Sequence, residues 1–91
     1  MWSKIRARRE QWRPVLDAEL QRWSVKPWEQ LVSELAEHQE YQIEVNCKSY
    51  NVEVEVLENT AAYVNVIVAV DDGTLPASIR PLSETFLRRK E

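Results

Sequence analysis

Ninety-one residues with 44% hydrophobic side chains, four tryptophans and a single glycine describe one ordered domain (1–91) near the lower size limit for a self-sufficient core. The lone cysteine, Cys47, excludes an intramolecular disulfide and leaves a cysteine-based zinc site short of ligands, so a reducing cytoplasm is the expected setting. The formal net charge of −3 conceals basic ends, +4 over residues 1–13 and +2 over 80–91, around an acidic middle of −9.

No apolar run follows the positive charges of the N-terminus, and no stretch is long enough to span a bilayer; neither a secretory signal nor a membrane partner is expected. Ile5, Trp12, Leu16, Leu20 and Trp23 then recur at spacings of seven, four, four and three, which gathers them on one side of an α-helix. Pro14 opens two alternatives: a helix that begins there, or a longer one that bends there. Because the stripe keeps its phase across the proline, the reading is a continuous or kinked helix over about 2–22. After Ser24-Val25-Lys26, Pro27 and Glu29 mark the start of a second helix, with Trp28, Leu31, Val32 and Leu35 as its buried stripe, predicted over 27–38.

From Tyr41 to Val70 the apolar residues fall at every second position in three runs, the period of a pleated strand. Strands are predicted at about 40–46, 49–58 and 62–71. With Asn46 to Ser49 as the first turn, Val45 is expected opposite Tyr50, Ile43 opposite Val52 and Tyr41 opposite Val54. With the second turn at Asn59-Thr60-Ala61, Val56 is expected opposite Val64 and Ile67 opposite Glu53. A one-residue slip sends a whole valine row into water. The two helices are the available cover for that face.

Asp71-Asp72-Gly73-Thr74 reads as a turn, with glycine where positive φ is needed. Pro76 and Pro81 follow. Ile79, Leu82, Phe86 and Leu87 are anchors for a C-terminal segment over 82–90 that is either a short helix capped by Ser83 or a fourth, charge-guarded edge strand. The expected fold class is α+β: two N-terminal helices packed on one face of a three- to four-stranded antiparallel β-meander, a two-layer sandwich.

The side chains that carry chemistry elsewhere have ordinary roles here. Asp71 and Asp72 lack the alternating ligands and closing glutamate of a calcium loop, and turn chemistry accounts for them. His38, the one histidine, falls at the expected end of the second helix, where it complements the dipole. Cys47 beside Lys48 is a surface thiol in a turn. Glu53 and Glu55 share one side of a strand, but a glycosidase-type pair needs a cleft between its members. One glycine is too few for a phosphate loop, a nucleophile elbow or a dinucleotide fingerprint. No enzyme, cofactor or metal is expected, and the motifs carry no resemblance to a known family.

The face opposite the valines is half polar, with Gln42, Glu44, Asn51, Glu53 and Glu55, and half apolar, with Leu57, Tyr63, Ile67 and Ala69. It is the expected partner surface, centred on Glu53, Glu55, Leu57, Tyr63 and Ile67. The sequence thus reads as a small bacterial-type protein that acts as a non-catalytic interaction or regulatory module, with a protein partner or a homodimer. Two alternatives stand beside it. Lys4, Arg6, Arg8, Arg9 and Arg13 form a basic N-terminal arm suited to phosphates, the nucleic-acid alternative. Glu44, Glu53, Glu55 and Glu58 suit an acidic inhibitor or immunity-like protein that covers a basic site.

Overall fold

The computed structural model describes residues 10–74 and 81–90. In chain order its elements are helix α1 (Arg13–Ser24), helix α2 (Trp28–Glu34) and strands β1 (Gln39–Val45), β2 (Lys48–Asn59), β3 (Tyr63–Asp71) and β4 (Leu82–Arg89). The four strands form one antiparallel sheet in the order β1-β2-β3-β4. The helices cover one face of it, α1 over β4 and β3 and α2 over β3, which is the expected two-layer α+β sandwich. Among the described residues no helix is long and apolar enough to cross a membrane.

Proline sets where α1 starts. Glu10 and Gln11 are helical, the regular pattern breaks at Trp12, and α1 proper begins at Arg13 with Pro14 in its first turn. Pro14 offers no N–H to the carbonyl one turn back, and its ring crowds that turn. The part of the expected long helix on residues 2–9 lies outside the described residues. Helix α2 stops at Glu34, short of the expected 38, because the chain turns at Leu35 into the sheet and the Gln39 side-chain amide donates to the Glu34 carbonyl at 2.9 Å. His38 consequently sits on the connection to β1 rather than at a helix end.

Both hairpin registers differ from the expected ones by two residues, which keeps the valine rows on their predicted face. In the first, Val45 pairs with Lys48, Ile43 with Tyr50 and Tyr41 with Val52. Asn46 and Cys47 alone make the turn, with φ of 52° and 65°. A two-residue turn with both central residues left-handed matches the twist of the strands it joins. Cys47 has no preference for that region, so the signal usually given by Asn-Gly is half missing from the sequence.

In the second hairpin Val52 pairs with Val70, Val54 with Val68 and Val56 with Val66, and Ile67 faces Glu55 rather than Glu53. The hairpin closes at Asn59 opposite Val64, with Thr60 accepting the amides of Ala62 and Tyr63 at 3.1 Å each. Continued without interruption, that closure would set every β2 valine opposite an outward residue of β3. The register shift between Val56 and Glu58 leaves Leu57 as an extra residue, a bulge that returns the valines to one side.

The core is a sheet of valines under tryptophan and leucine. Val64, Val66, Val68 and Val70 are all fully buried, as are Val54 of β2 and Trp12, Leu16 and Leu31 of the helical layer. The C-terminal segment takes the strand alternative: β4 pairs along its length with β3, Phe86 opposite Val66 and Leu82 opposite Val70. Asp71 and Asp72 make the expected turn, accepting the amides of Gly73 at 2.8 Å and Thr74 at 3.0 Å, and Gly73 has φ of 77°.

Replacing Leu16 by alanine removes a side chain with no exposed surface, and we expect a loss of about 2–5 kcal/mol in urea unfolding. Leu57→Ala, on the half-exposed bulge, should change stability by no more than about 0.5 kcal/mol in the same measurement.

Candidate functional site

The outer face of the sheet bears no helix among the described residues, and the antiparallel pairing arranges its side chains in rows. Glu40 stands directly opposite Glu53, Glu53 opposite Ala69, and Ala69 opposite Ser83. In the next row Glu55 faces Ile67 and Ile67 faces Thr85. Then Glu58 faces Asn65, and Asn65 faces Leu87. The structure therefore brings Glu53, Glu55, Leu57, Tyr63 and Ile67 onto one surface. Leu57 is 50% and Leu87 62% exposed, and Ile67 and Tyr63 are half-buried beside them. Leu87 was not among the residues predicted for this surface, since its place depends on residues 82–90 being a strand.

The surface divides by charge. On the β1–β2 side are Glu40, Glu44, Glu53 and Glu55, all exposed. Opposed like charges on neighbouring strands are destabilising; beside Glu40 and Glu53 stands His38, its Nε2 3.3 Å from Glu40 Oε1. One ligand atom from each of His38, Glu40 and Glu53 lies within 4.8 Å of the others. All three side chains are in open solvent, so the cluster is loose for a first-row metal ion, whose ligands lie about 2 Å from it. Towards β3 an amide ladder neutralises the face: Gln42 donates to Asn51 at 3.0 Å and Asn51 to Asp71 at 3.1 Å.

The Tyr63 hydroxyl donates to Glu58. That bond to a carboxylate raises the phenol above its ordinary value, since ionising it would place two negative charges side by side. Glu53 and Glu55 line two separate depressions, one with Asn51 and Asp71 and the other with His38 and Leu35. They do not flank a common cleft.

Of the basic arm, Lys4, Arg6, Arg8 and Arg9 lie outside the described residues. Arg13 is engaged within the fold, donating to Glu84 at 2.6 Å with Asp17 at 3.8 Å. The Glu84 bond raises the guanidinium further above its ordinary range. Cys47 is free and exposed in its turn.

A polar group the sequence did not announce lies between the layers. Glu19, on the buried stripe of α1, is 7% exposed and accepts the hydroxyl of Tyr41, which in turn accepts Trp23 Nε1–H at 2.8 Å. Arg22 completes the set, 3.9 Å from Glu19 and over the Tyr41 ring. Burial, and then the bond to Glu19, push the Tyr41 phenol up to about 12 from 10. The network ties α1 to the edge strand β1. The spacing of Glu19 from Leu16 and Trp23 places it on the apolar stripe, and that is the signal by which a buried carboxylate could be found.

Comparison of the chain with protein-family models, with curated proteins and with solved structures gives no match. The geometry above is therefore what any functional reading rests on.

Two measurements follow from the Tyr41 network. Tyr41→Phe removes one bond from a buried carboxylate and should cost about 1–3 kcal/mol in thermal or urea unfolding. Because the folded state holds the Tyr41 proton more tightly than the unfolded chain, its contribution is complete below pH 10 and is lost as pH rises towards 12. Ultraviolet titration should accordingly show a tyrosine with a midpoint near 12 that is absent in Tyr41→Phe.

Proposed function

We propose that the protein is a non-catalytic interaction module that docks a protein partner on the outer face of its sheet. The observation that carries this reading is the set Leu57, Ile67 and Leu87, on three successive strands of a face that bears no helix among the described residues, alongside the carboxylates Glu40, Glu44, Glu53 and Glu55. Apolar side chains with carboxylates on their β1–β2 side, and Arg89 at the far end of β4, match a partner whose apolar patch has lysines or arginines on the side that meets the carboxylates, and the charges contribute chiefly to encounter rate and selectivity. A second copy stacked on the same face would bring the two acidic halves into one interface, which favours a basic partner over a stacked homodimer.

The non-catalytic part of the reading is supported by how the perturbed groups are held. Arg13, Glu34, Tyr41 and Tyr63 have displaced pKa values, and each is held by structural partners: Glu84, Gln30 with Lys26, Glu19 and Glu58. Among the described residues they do not meet in a cleft. The exposed free Cys47 is compatible with the reducing cytoplasm expected for the chain.

The acidic face also favours a second reading, an inhibitor or immunity-like protein, in which the partner is an enzyme whose basic site the carboxylates cover. The Glu40–Glu53 pair favours this version, because two opposed carboxylates gain most from a cation brought by the partner.

The test compares wild type with Ile67→Glu and with Glu53→Lys/Glu55→Lys as baits in lysate from the source cell. We expect all three to give the same far-ultraviolet circular dichroism. A specific partner should be retained by wild type, weakened by salt, and lost from both variants. Identical capture by all three baits would reject the outer face as the docking surface, and capture of nucleic acid alone would transfer the role to Lys4, Arg6, Arg8 and Arg9.

A further inference from the structure

Among the described residues the sheet ends in two unpaired edges, β1 and β4, and they differ in what they present. The Lys90 amide donates to the Ala62 carbonyl at 2.9 Å, so the Lys90–Ala62 pair is of the hydrogen-bonded type. Types alternate along an antiparallel ladder. Leu82, Glu84, Phe86 and Arg88 therefore direct their backbone groups to β3, while Ser83, Thr85, Leu87 and Arg89 direct theirs outward. Among the described residues no strand pairs with that outer edge. An open row of donors and acceptors is a template for another strand.

We propose that the chain forms a two-fold dimer by pairing the free edge of β4 antiparallel with its own copy, with Phe86 on the axis. In this register Thr85 and Leu87 exchange hydrogen bonds with Leu87 and Thr85 of the second copy, and Ser83 does so with Arg89. The charge pattern of the strand is self-complementary about the axis: Glu84, already bonded to Arg13, stands opposite Arg88 of the second copy, which keeps its bonds to the carbonyls of Ser24 and Lys26, and the pair occurs twice. Phe86, only half-buried although it faces the helical side, meets its own copy across a non-hydrogen-bonded pair, the closer of the two kinds.

Each copy also has a place for the end of its neighbour. Leu82 of the second copy falls opposite Lys90, beside a cavity of about 370 Å³ lined by Val25, Pro27 and Trp28 together with Glu29 and the cations of residues 88–90. Val25 is 62% exposed there, and Lys90 lies over the Trp28 ring at 4.9 Å. The cavity is braced from within, because Arg88 donates to the carbonyls of Ser24 and Lys26. An inward leucine from the second strand has Val25, Pro27 and Trp28 to pack against on one wall of this otherwise charged cavity.

The other edge works against self-pairing. Val45 opposite Lys48 closes the two-residue turn, so Glu40, Gln42 and Glu44 direct their backbone groups outward from β1. The register that pairs the whole strand with its copy, about Gln42, sets Glu40 opposite Glu44 twice. Like charges in that position oppose association, which leaves β4 as the edge that closes into a dimer. The inference stands apart from the outer-face reading: it concerns a strand edge and a second copy, and either reading survives the loss of the other.

Sedimentation equilibrium on the full chain over a wide range of concentration should give twice the chain mass. Thr85→Pro removes an outward N–H and leaves the β3 ladder untouched; it should give a monomer with unchanged circular dichroism, whereas Ile67→Glu should remain dimeric. In a Cys47→Ala background, Phe86→Cys should form an intermolecular disulfide under mild oxidation, since non-hydrogen-bonded pairs bring Cα atoms to about 4.5 Å. Thr85→Cys and Leu87→Cys should not cross-link to their own copies. A monomeric wild type, a dimer that Thr85→Pro leaves intact, or cross-linking through position 85 or 87 instead of 86 would overturn the proposal.

Discussion

The valine row of β3 is the constraint to which the remaining elements conform. Val64, Val66, Val68 and Val70 have no exposed surface, and their burial requires every strand on either side to hold its apolar residues on the same face. The neighbouring strands meet that demand by different means. In β2 the Leu57 bulge corrects a hairpin that would otherwise close one residue out of phase. In β4 the strand opposes Phe86 and Leu82 to valines and lets Glu84 and Arg88 reach the helical layer, where they bond to Arg13 and to the carbonyls of Ser24 and Lys26. Charges on the inward face of an edge strand are tolerated because each has a partner at the rim of the helices.

A sequence of this kind discloses faces more readily than registers. The alternation places the side chains of Tyr41 to Val56 and of Tyr63 to Val70 correctly inward or outward, because a period of two survives any even shift; only past the Leu57 bulge, at Glu58 and Asn59, does it fail. Register depends on turns, and here the turn signals are weak: Asn46-Cys47 in place of Asn-Gly, and a second hairpin whose loop length makes sense only together with a bulge. The helix boundaries were similarly limited. Pro14 offers the start of α1 as one of two alternatives, while the favoured reading runs the helix through it, and the end of α2 is set by Gln39 reaching back to the Glu34 carbonyl, a contact between residues that no helical period relates.

The candidate surface was legible in part for the same reason. Glu53, Glu55, Leu57, Tyr63 and Ile67 follow from parity alone. Leu87 joins them only once the C-terminal segment is a strand, and His38 approaches Glu40 and Glu53 only once α2 ends early. The Glu19–Tyr41–Trp23 network was hidden because each member resembles something commoner: Tyr41 an apolar strand residue, Trp23 an apolar helix residue, and Glu19 a solvated charge.

That network also says how firmly the sheet holds together from one side to the other. The helices lie over β3 and β4, so β1 has β2 on one side and no strand on the other among the described residues, with Tyr41 as its polar tie to α1. Ile43 and Val45 are only half-buried, whereas the β3 valines are sealed. Resistance to transient opening should therefore fall along the sheet from β3 to β1. Amide exchange should be slowest in β3 and fastest in β1, where release of the Tyr41 phenol and the Gln39 amide frees the strand to peel away while β3 and β4 stay under the helices.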